Sequence, residues 1–244
     1  MENVTRTDIA SGLHGMGLKA GAKVMVHSSL SSLGHVEGGG ATVVEAFLDV
    51  LGSAGTLMVP TFTHSGTEYF DPLVSPSKNG AITEAARARP EAVRSLHPTH
   101  AVTAIGPEAE ELVGDDLERG ALGRDCALDK LAQRGGCVFL LGVDHIVNST
   151  IHIGEDYGGD NRQRGSFTPE NPKIVILNHP ERGEIEIPLT EMMGSTVAFE
   201  RMEDELRSRG QLSEGRIGAA SCQLMRGQHV IDAAIDIVTR DLPT

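Results

Sequence analysis

The sequence predicts an α/β fold with a mixed, largely parallel central sheet flanked by helices and a β-hairpin excursion. Short apolar runs typical of buried strands alternate with segments whose apolar residues recur at helical spacing. Clusters of Gly, Pro and Ser separate these segments. Residues 173–177 and 184–188 form two strand-like runs around a turn, which is typical of an antiparallel hairpin.

The first half of the chain alternates between predicted helices and predicted strands. Thr7 or Asp8 can cap the first helix, and Pro90 ends the third. Residues 65–79 are rich in Ser, Pro and Gly, which is typical of a long surface loop. The predicted helices cover residues 8–17, 41–51 and 83–89, and the predicted strands cover residues 23–27, 55–60 and 101–105.

The second half continues this alternation and contains the hairpin. Asp125 can cap a helix over residues 126–134, and the apolar residues 138–141 that follow are typical of a fully buried strand. No internal repeat is present, and residues 1–244 are expected to form one domain. The remaining predicted elements are helices over residues 194–208 and 229–242 and a strand over residues 215–224.

Composition narrows the classes of function. A net charge of -13, an aromatic content of 3% and the absence of Trp argue against nucleic-acid binding. Cys126, Cys137 and Cys222 are too scattered for a disulfide framework or a CxxC site. No apolar run approaches membrane-spanning length, and the opening residues lack a secretory pattern. We therefore expect no membrane partner and a cytoplasmic location.

A loop of small residues after the first strand is a candidate phosphate site. Residues 27–40 read HSSLSSLGHVEGGG and lead into the predicted helix over residues 41–51. Free backbone N–H groups and the helix dipole favour an anion at such a position. The loop matches neither a Walker motif nor GxGxxG, so an ordinary flexible loop is the alternative.

The histidines raise the question of a metal site. His97 and His100 have no Cys or carboxylate at ligand spacing nearby, and Pro98 keeps their segment from forming a helix. The sequence therefore predicts no metal. A metal-dependent hydrolase using these two residues with His27 and His152 is the alternative.

The stretch VFLLGVDHIVNSTIHIGE, residues 138–155, has the pattern of a catalytic segment. Asp144 and Asn148 can each cap a helix, and His152 and Glu155 lie three residues apart, on one helical face. Open α/β sheets place their chemistry just past the carboxyl end of a central strand. A base beside a carboxylate is therefore predicted there, against the alternative of a buried structural His and a solvated Glu.

Three stretches together resemble a known family. They read VMVHSSLSSLGHVEGGGATVVEAFLDVLGSAGTLMVPTFT, FDPLVSPSKNGAITEAARARPEAVRSLHPTHAVTAIG and LLGVDHIVNSTIHIGE. On their MVHSSL, RSxHPTH and NxxxHxxE elements, the chain is identified as a member of the aminoglycoside 3-N-acetyltransferase family. The resemblance implies the antibiotic N-acetyltransferase fold, which is distinct from that of the GNAT enzymes. It also implies transfer of an acetyl group from acetyl-coenzyme A to the 3-amino group of an aminoglycoside.

The resemblance assigns roles to individual residues. His152 matches the catalytic base, Glu155 matches the carboxylate that fixes its tautomer, and Thr150 is a candidate donor to the thioester oxyanion. Backbone N–H groups of residues 28–30 and the hydroxyls of Thr61 and Thr63 are alternative donors. The implied coenzyme A contacts are His27, Ser28, Ser29, Leu30, Ser31, Leu33, Gly34, Val36, Ser95, His97 and Pro98. The expected acceptor contacts are Thr63, Glu68, Asp71, Asp156 and Asp160.

The residue types suit this chemistry. An aliphatic amine is mostly protonated at neutral pH and must lose a proton before it attacks a thioester. An imidazole can take that proton, and a carboxylate on its other nitrogen holds the ring and stabilises the imidazolium. Direct transfer in a ternary complex is expected, because no metal and no covalent acyl-enzyme are needed.

Two departures from the family pattern affect the choice of substrate. Cys126-Ala127 stands where many members carry Ser-Pro, so Cys126 is either a buried small residue or a thiol near the acyl site. The insert between Thr63 and Phe70 is shorter than in members that bind the acceptor there. A non-aminoglycoside amine is therefore the alternative acceptor, and a non-catalytic coenzyme A-binding module is the alternative outside enzymes. The sequence is equally compatible with a monomer and a homodimer.

Overall fold

The computed structural model describes residues 3–64, 66–119, 122–160, 167–168, 170–190 and 197–241. The predicted helix start at residue 194 and helix end at residue 242 lie outside them. The strands are β1 (Lys23–Ser28), β2 (Thr56–Pro60), β3 (Tyr69–Phe70), β4 (Val93–Arg94), β5 (Val102–Ile105), β6 (Cys137–Leu141), β7 (Lys173–His179), β8 (Gly183–Leu189), β9 (Ser213–Ile217) and β10 (Ala220–Arg226). The helices are α1 (Arg6–Gly15), α2 (Gly39–Leu51), α3 (Ala81–Arg87), α4 (Ala109–Val113), α5 (Asp116–Arg119), α6 (Ala127–Gln133), α7 (Ile151–Tyr157), α8 (Val197–Ser208) and α9 (Gly227–Asp241).

Seven of the described strands form the central sheet, in the order β4-β5-β2-β1-β6-β10-β9. β1 lies in the middle and pairs in parallel with β2 and β6, with Val24 opposite Leu57 and Cys137. β5 runs antiparallel to β2, and β10 runs antiparallel to β6. The sheet is therefore mixed as predicted, but "largely parallel" is wrong for the described strands. The reason is that β5 and β10 enter the sheet from the edge at which β2 and β6 end.

Residues 213–226 form a hairpin and not the single strand predicted over residues 215–224. β9 and β10 pair antiparallel, with Ile217 opposite Ala220. Gly218 makes the turn at φ +56°, in the left-handed region that glycine adopts at little cost. The apolar residues continue on both sides of this turn, so the sequence pattern alone merges the two strands.

The predicted hairpin over residues 173–188 is confirmed as β7 and β8. It does not join the central sheet. Together with β3 it forms a separate three-stranded sheet of the described residues. β3 comes from the stretch predicted as a loop, because Tyr69 and Phe70 pair with Ile176 and Leu177. Phe70, Val175 and Leu177 are fully buried against each other.

Helices cover both faces of the central sheet. α1, α2 and α3 pack on the face that presents Val26 and Phe139. α4, α6, α7, α8 and α9 cover the opposite face, which presents Met25 and Leu140. The capping residue of α1 is Thr5, and not Thr7 or Asp8 as predicted, because the Thr5 side chain accepts from the Asp8 backbone N–H at 3.2 Å. Among the described helices, none is both long and apolar enough to cross a bilayer.

Close packing of α7 on α9 predicts a stability effect at Gly154. A Cβ added there would lie 2.4 Å from the Ala234 Cβ and 2.6 Å from the Ile231 carbonyl oxygen. We expect Gly154→Ala to lower the free energy of unfolding in urea by about 1–3 kcal/mol, because the two helices must move apart.

The matched control for that substitution is Gly15→Ala. Gly15 lies in the last turn of α1, is exposed, and has open space where a Cβ would be added. The free energy of unfolding should stay the same or rise slightly. Equal losses in the two variants would contradict the packing argument.

Candidate active site

The carboxyl ends of the three parallel strands meet at one edge of the sheet. β1 ends at Ser28 and leads into a short 3-10 helix, Leu30–Leu33. β2 leads into residues 61–64, and β6 leads towards α7. Ser28 lies opposite Leu141 across the β1–β6 pair, and the backbone N–H of Ser29 donates to the Leu141 carbonyl at 2.9 Å. Three polar segments are thereby brought to the edge where open α/β sheets bind ligands.

The His152 and Glu155 side chains contact each other on α7. The Nδ1 of His152 lies 2.6 Å from the Oε2 of Glu155. Glu155 is 1% exposed and the His152 side chain 11% exposed. An ionised carboxylate can only accept, so Nδ1 carries the proton and Nε2 is left as the acceptor nitrogen of the ring. The predicted face-sharing pair is therefore formed, and Glu155 is not a solvated surface residue.

One aromatic ring contacts the His152 imidazole from outside its helix. The Phe199 ring of α8 packs on it, with the ring centroids 4.9 Å apart and the planes at 56°. The segment of residues 95–101 brings His100 close to His152. The charge on His152 contributes to lowering the pKa of His100. The base candidate thus sits between α8 and the segment that precedes β5.

His97 and His100 form a partly buried pair close to His152. Their ring centroids are 5.9 Å apart, and the Nδ1 of His97 accepts the backbone N–H of His100 at 3.2 Å. Burial lowers the pKa of His97 to about 4. Burial first, and then the charges of His97, His152 and His64, lower the pKa of His100 to about 3. Both rings are therefore neutral at neutral pH, and among the described residues no three His, Cys, Asp or Glu side chains converge to hold a metal ion.

An open cleft of about 550 Å³ lies beside the end of β1. One wall is the loop after β1, and the other is the start of α3. Gly40 at the start of α2 allows the two walls to approach, because a Cβ there would lie 2.5 Å from the Ala81 carbonyl oxygen. The lining residues are Ser28, Ser29, Leu30, Ser31, Gly34, His35, Val36, Asn79, Gly80, Ala81 and Ile82.

Comparison with known proteins identifies the family. The family model for aminoglycoside 3-N-acetyltransferase matches residues 25–239. The chain belongs to this family. Aminoglycoside N(3)-acetyltransferase IX of Micromonospora chalcea is 32% identical, over 98% of this chain and 95% of the relative. Aminoglycoside N(3)-acetyltransferase VII of Streptomyces paromomycinus is 31% identical, over 95% and 90%. The crystal structure of the AAC(3)-IVa apoenzyme superposes with a TM-score of 0.87 at 26% identity, over 99% of this chain and 90% of the other.

Six of the residues that the family resemblance implied for coenzyme A line the cleft. They are Ser28, Ser29, Leu30, Ser31, Gly34 and Val36. The other five do not line it. His27 is 3% exposed and Leu33 and Ser95 are each 1% exposed, so these three have almost no surface to offer a ligand. The Ser95 hydroxyl also accepts the Val102 backbone N–H at 3.0 Å, and the His97-Pro98 segment lies beside residues 61–64 instead of the cleft.

Most of the expected acceptor contacts are engaged within the protein. The Thr63 hydroxyl donates to the Pro98 carbonyl. Asp71 accepts from the Leu73 and Val74 backbones and from Asn178, which together lower its pKa despite partial desolvation. Asp156 accepts the Arg124 backbone N–H at 2.9 Å and pairs with its guanidinium. Asp160 is 6% exposed, whereas Glu68 is exposed.

Internal hydrogen bonds also exclude some of the candidate donors to the thioester oxyanion. The Thr61 hydroxyl lies 3.1 Å from the Ala101 carbonyl and 3.0 Å from the Thr103 hydroxyl, so its single proton is engaged there. Thr63 is engaged with Pro98, as described above. Thr150 is 2% exposed and directly precedes α7. The Ser29 backbone N–H is engaged by the Leu141 carbonyl, so Thr150 and the backbone N–H of Leu30 are the candidates that remain.

One wall of the cleft was missed by sequence reasoning. The second cleft wall, Asn79 to Ile82, spans the last residue of the predicted loop over residues 65–79 and the start of α3, which begins at Ala81 and not at residue 83 as predicted. Gly80, just before the helix, was its only local signal. The structure decides between the two interpretations of Cys126. This residue lies in the core, and burial, and secondarily Asp116, raises its pKa to about 12. It is a buried small residue and not a reactive thiol. The predicted cap Asp125 is also wrong, since the first N–H of α6, that of Ala127, donates to Asp116 at 3.1 Å.

The neutral histidine pair predicts acid sensitivity. Between pH 6.5 and about 3 the unfolded chain binds a proton at His100 that the folded chain does not, so stability falls as the pH falls through this window. We expect His100→Gln to reduce that fall by up to about 1.4 kcal/mol per pH unit between pH 6.5 and 4. Urea unfolding at several pH values measures it. If the stability of wild type and variant fell equally with falling pH, His100 would not be the source of the acid sensitivity.

Proposed function

We propose that this chain transfers the acetyl group of acetyl-coenzyme A to the 3-amino group of an aminoglycoside. One observation carries the proposal: a buried carboxylate holds the Nδ1 of His152 at 2.6 Å in a chain of this family. This leaves Nε2 free to accept a proton from the attacking amine. In the proposal His152 is the general base and Glu155 fixes its tautomer.

The proposed step balances without a metal or a covalent enzyme intermediate. The neutral amine nitrogen forms a C–N bond with the thioester carbon, and the C–S bond breaks. His152 takes the amine proton at Nε2 and returns it to the departing thiolate. Glu155 stabilises the positive charge that the ring carries in between. General base catalysis of this kind contributes about 10²–10⁴-fold to the rate.

The cleft supports acetyl-coenzyme A as the donor. It opens at the end of β1, the strand next to the one that leads to His152. Small and hydroxyl-bearing residues on one wall let a ligand approach the backbone closely, and a flexible pantetheine chain needs such a groove. The relatives named above carry N(3)-acetyltransferase in their names, which supports the same donor chemistry here.

A different amine is the second candidate acceptor. The observation that favours it is the internal engagement of Asp71 and the burial of Asp160, which leave fewer acidic side chains for a polycation. Such an amine would undergo the same acyl transfer. A panel of aminoglycosides and simple polyamines, assayed for thiol release, decides between the two acceptors.

Loss of the base should abolish turnover. We expect His152→Gln to lower kcat with gentamicin by about 10²–10⁴-fold, while calorimetry still detects coenzyme A binding. His14→Gln is the matched control, because His14 is exposed on α1, away from the sheet edge. Unchanged turnover in His152→Gln would exclude the proposed base, and turnover lost in both variants would show a nonspecific effect.

The cleft assignment predicts a defect in donor binding. Ala81 lines the cleft and is exposed, so a large ring there occupies the space between the walls. We expect Ala81→Trp to raise the KM for acetyl-coenzyme A by at least about tenfold, equivalent to about 1.4 kcal/mol, with little change in kcat. Ala88→Trp is the control, since Ala88 is exposed at the other end of α3 and does not line the cleft. An unchanged KM in Ala81→Trp would place the donor elsewhere.

A further inference from the structure

Asn79 lines the cleft beside β1, and one side of its amide group is bound to the protein. Its Oδ1 accepts the backbone N–H of Phe62 at 2.7 Å. An amide oxygen accepts and an amide nitrogen donates, so this bond fixes the orientation of the group. The NH₂ occupies the other side, where it donates to none of the described residues and is open to solvent. Asn79 therefore offers the cleft a hydrogen-bond donor of fixed orientation.

The backbone around Asn79 is held by two hydroxyl groups and a carboxylate. The Asn79 backbone N–H donates to the Ser77 hydroxyl at 3.2 Å, and that hydroxyl lies 2.8 Å from the Thr83 hydroxyl. The Thr83 hydroxyl donates to the Gly80 carbonyl at 2.9 Å, so its oxygen accepts the proton of Ser77. The Ser77 backbone N–H donates to Glu84 at 2.8 Å. A side chain held in this way loses little conformational entropy when it binds a ligand.

A second backbone hydrogen bond joins this cleft wall to the segment after β2. The Lys78 backbone N–H donates to the Phe62 carbonyl at 2.9 Å, so residues 78 and 79 together bind both backbone groups of Phe62. Phe62 is 7% exposed, and its ring centroid lies 5.0 Å from that of His100. Asn79 is therefore anchored to the segment that packs beside the histidines of the candidate site.

The cleft narrows the choice of ligand group that this NH₂ can bind. Acetyl-coenzyme A offers phosphate oxygens, the amide carbonyls of its pantetheine arm and the thioester carbonyl. The thioester must reach an amine beside His152, yet no residue of α7 lines the described cleft. The described lining also contains no Lys or Arg, the side chains that most often bind phosphate. An amide carbonyl of the arm is therefore the group that matches Asn79.

We propose that Asn79 is a binding residue for the acyl donor, and that its side-chain NH₂ donates to an amide carbonyl of the pantetheine arm. This role rests on the proposed function, which supplies acetyl-coenzyme A as the ligand. It makes the cleft selective for an arm that carries a carbonyl over an alkyl chain of the same length, because an alkyl chain would cover the NH₂ and leave it unpaired.

Asn79→Asp tests the donor group without removing the anchor. The carboxylate keeps an oxygen for the Phe62 N–H, whereas the NH₂ is replaced by a second oxygen that repels a carbonyl. We expect the Kd for coenzyme A, measured by calorimetry, to rise by about tenfold or more. The KM for acetyl-coenzyme A should rise by a similar factor with kcat within about twofold of wild type, because the thioester is not contacted.

Two controls separate the lost hydrogen bond from the added charge. Adenosine 3′-phosphate 5′-diphosphate is the nucleotide of coenzyme A without the pantetheine arm. Its Kd should stay within about twofold of wild type in Asn79→Asp, because charges that are far apart are screened by salt. Asn171→Asp, the same change at an exposed position of the described chain, should alter neither Kd.

A crystal structure of the wild-type protein with coenzyme A tests the contact directly. The Nδ2 of Asn79 should lie about 2.7–3.2 Å from an amide oxygen of the pantetheine arm. An arm that passes Asn79 without this contact would overturn the proposal. This measurement needs neither turnover nor a variant, so it decides the matter if Asn79→Asp does not fold.

Failure of this role and failure of the proposed function give different results. A wild-type protein that does not bind coenzyme A would refute the donor of the proposed function and this role with it. If wild type binds coenzyme A, an unchanged Kd in Asn79→Asp, or an equal weakening of the nucleotide, refutes the role of Asn79 alone. A fall in kcat with an unchanged Kd would place the NH₂ at the thioester, which also refutes the contact with the pantetheine arm.

Discussion

Burial of the Glu155 carboxylate is the constraint on which the candidate site depends. A buried carboxylate costs several kcal/mol unless its charge is compensated, and His152 is the hydrogen-bond partner that the described residues give it. The hydrogen bond holds the imidazole against the carboxylate, and the Phe199 ring contacts the imidazole with the two planes at 56°. The geometry that suits a general base therefore also gives one oxygen of the buried carboxylate its hydrogen bond. Reactivity and stability require the same contact.

That contact requires α7 to be accurately positioned. Close packing on α9 and hydrogen bonds at its first residues determine its position. Gly154 lets it approach α9 more closely than any side chain would allow. Asn148 and the Asp144-capped turn at residues 145–147 hold its first residues. Seven residues of helix supply little stability of their own, so the neighbours determine where His152 points. The large apolar core beneath the sheet thus contributes to catalysis on the proposed function, because it fixes the surface against which α7 packs.

The sequence predicted those features that depend only on residues close together in the chain. The spacing of His152 and Glu155 fixes their shared face on any helix, and the apolar run before them predicts a buried strand wherever it is placed in the sheet. Features that depend on distant segments were not predictable in this way. His27 is 3% exposed, and its pKa is lowered by burial and by His145, which lies 118 positions later in the chain. The second cleft wall requires α3 to pack beside Gly40, and the turn at Gly218 interrupts no apolar pattern.

On the proposed function, the preferred amine acceptor depends on how firmly the acidic side chains are bound within the protein. Their hydrogen bonds and exposure differ among the described residues. Asp71 accepts three hydrogen bonds within its own sheet and turn, so exchanging them for a ligand would disrupt the fold locally. Asp156 pairs with Arg124 while the two side chains are 46% and 56% exposed, and such surface pairs contribute about 0–1 kcal/mol. A polycation of several charges can displace one exposed guanidinium at that cost, whereas a monoamine gains little by doing so. On the proposed function, Glu68 and Asp156 are therefore the described acids through which an aminoglycoside would be preferred over a simpler amine.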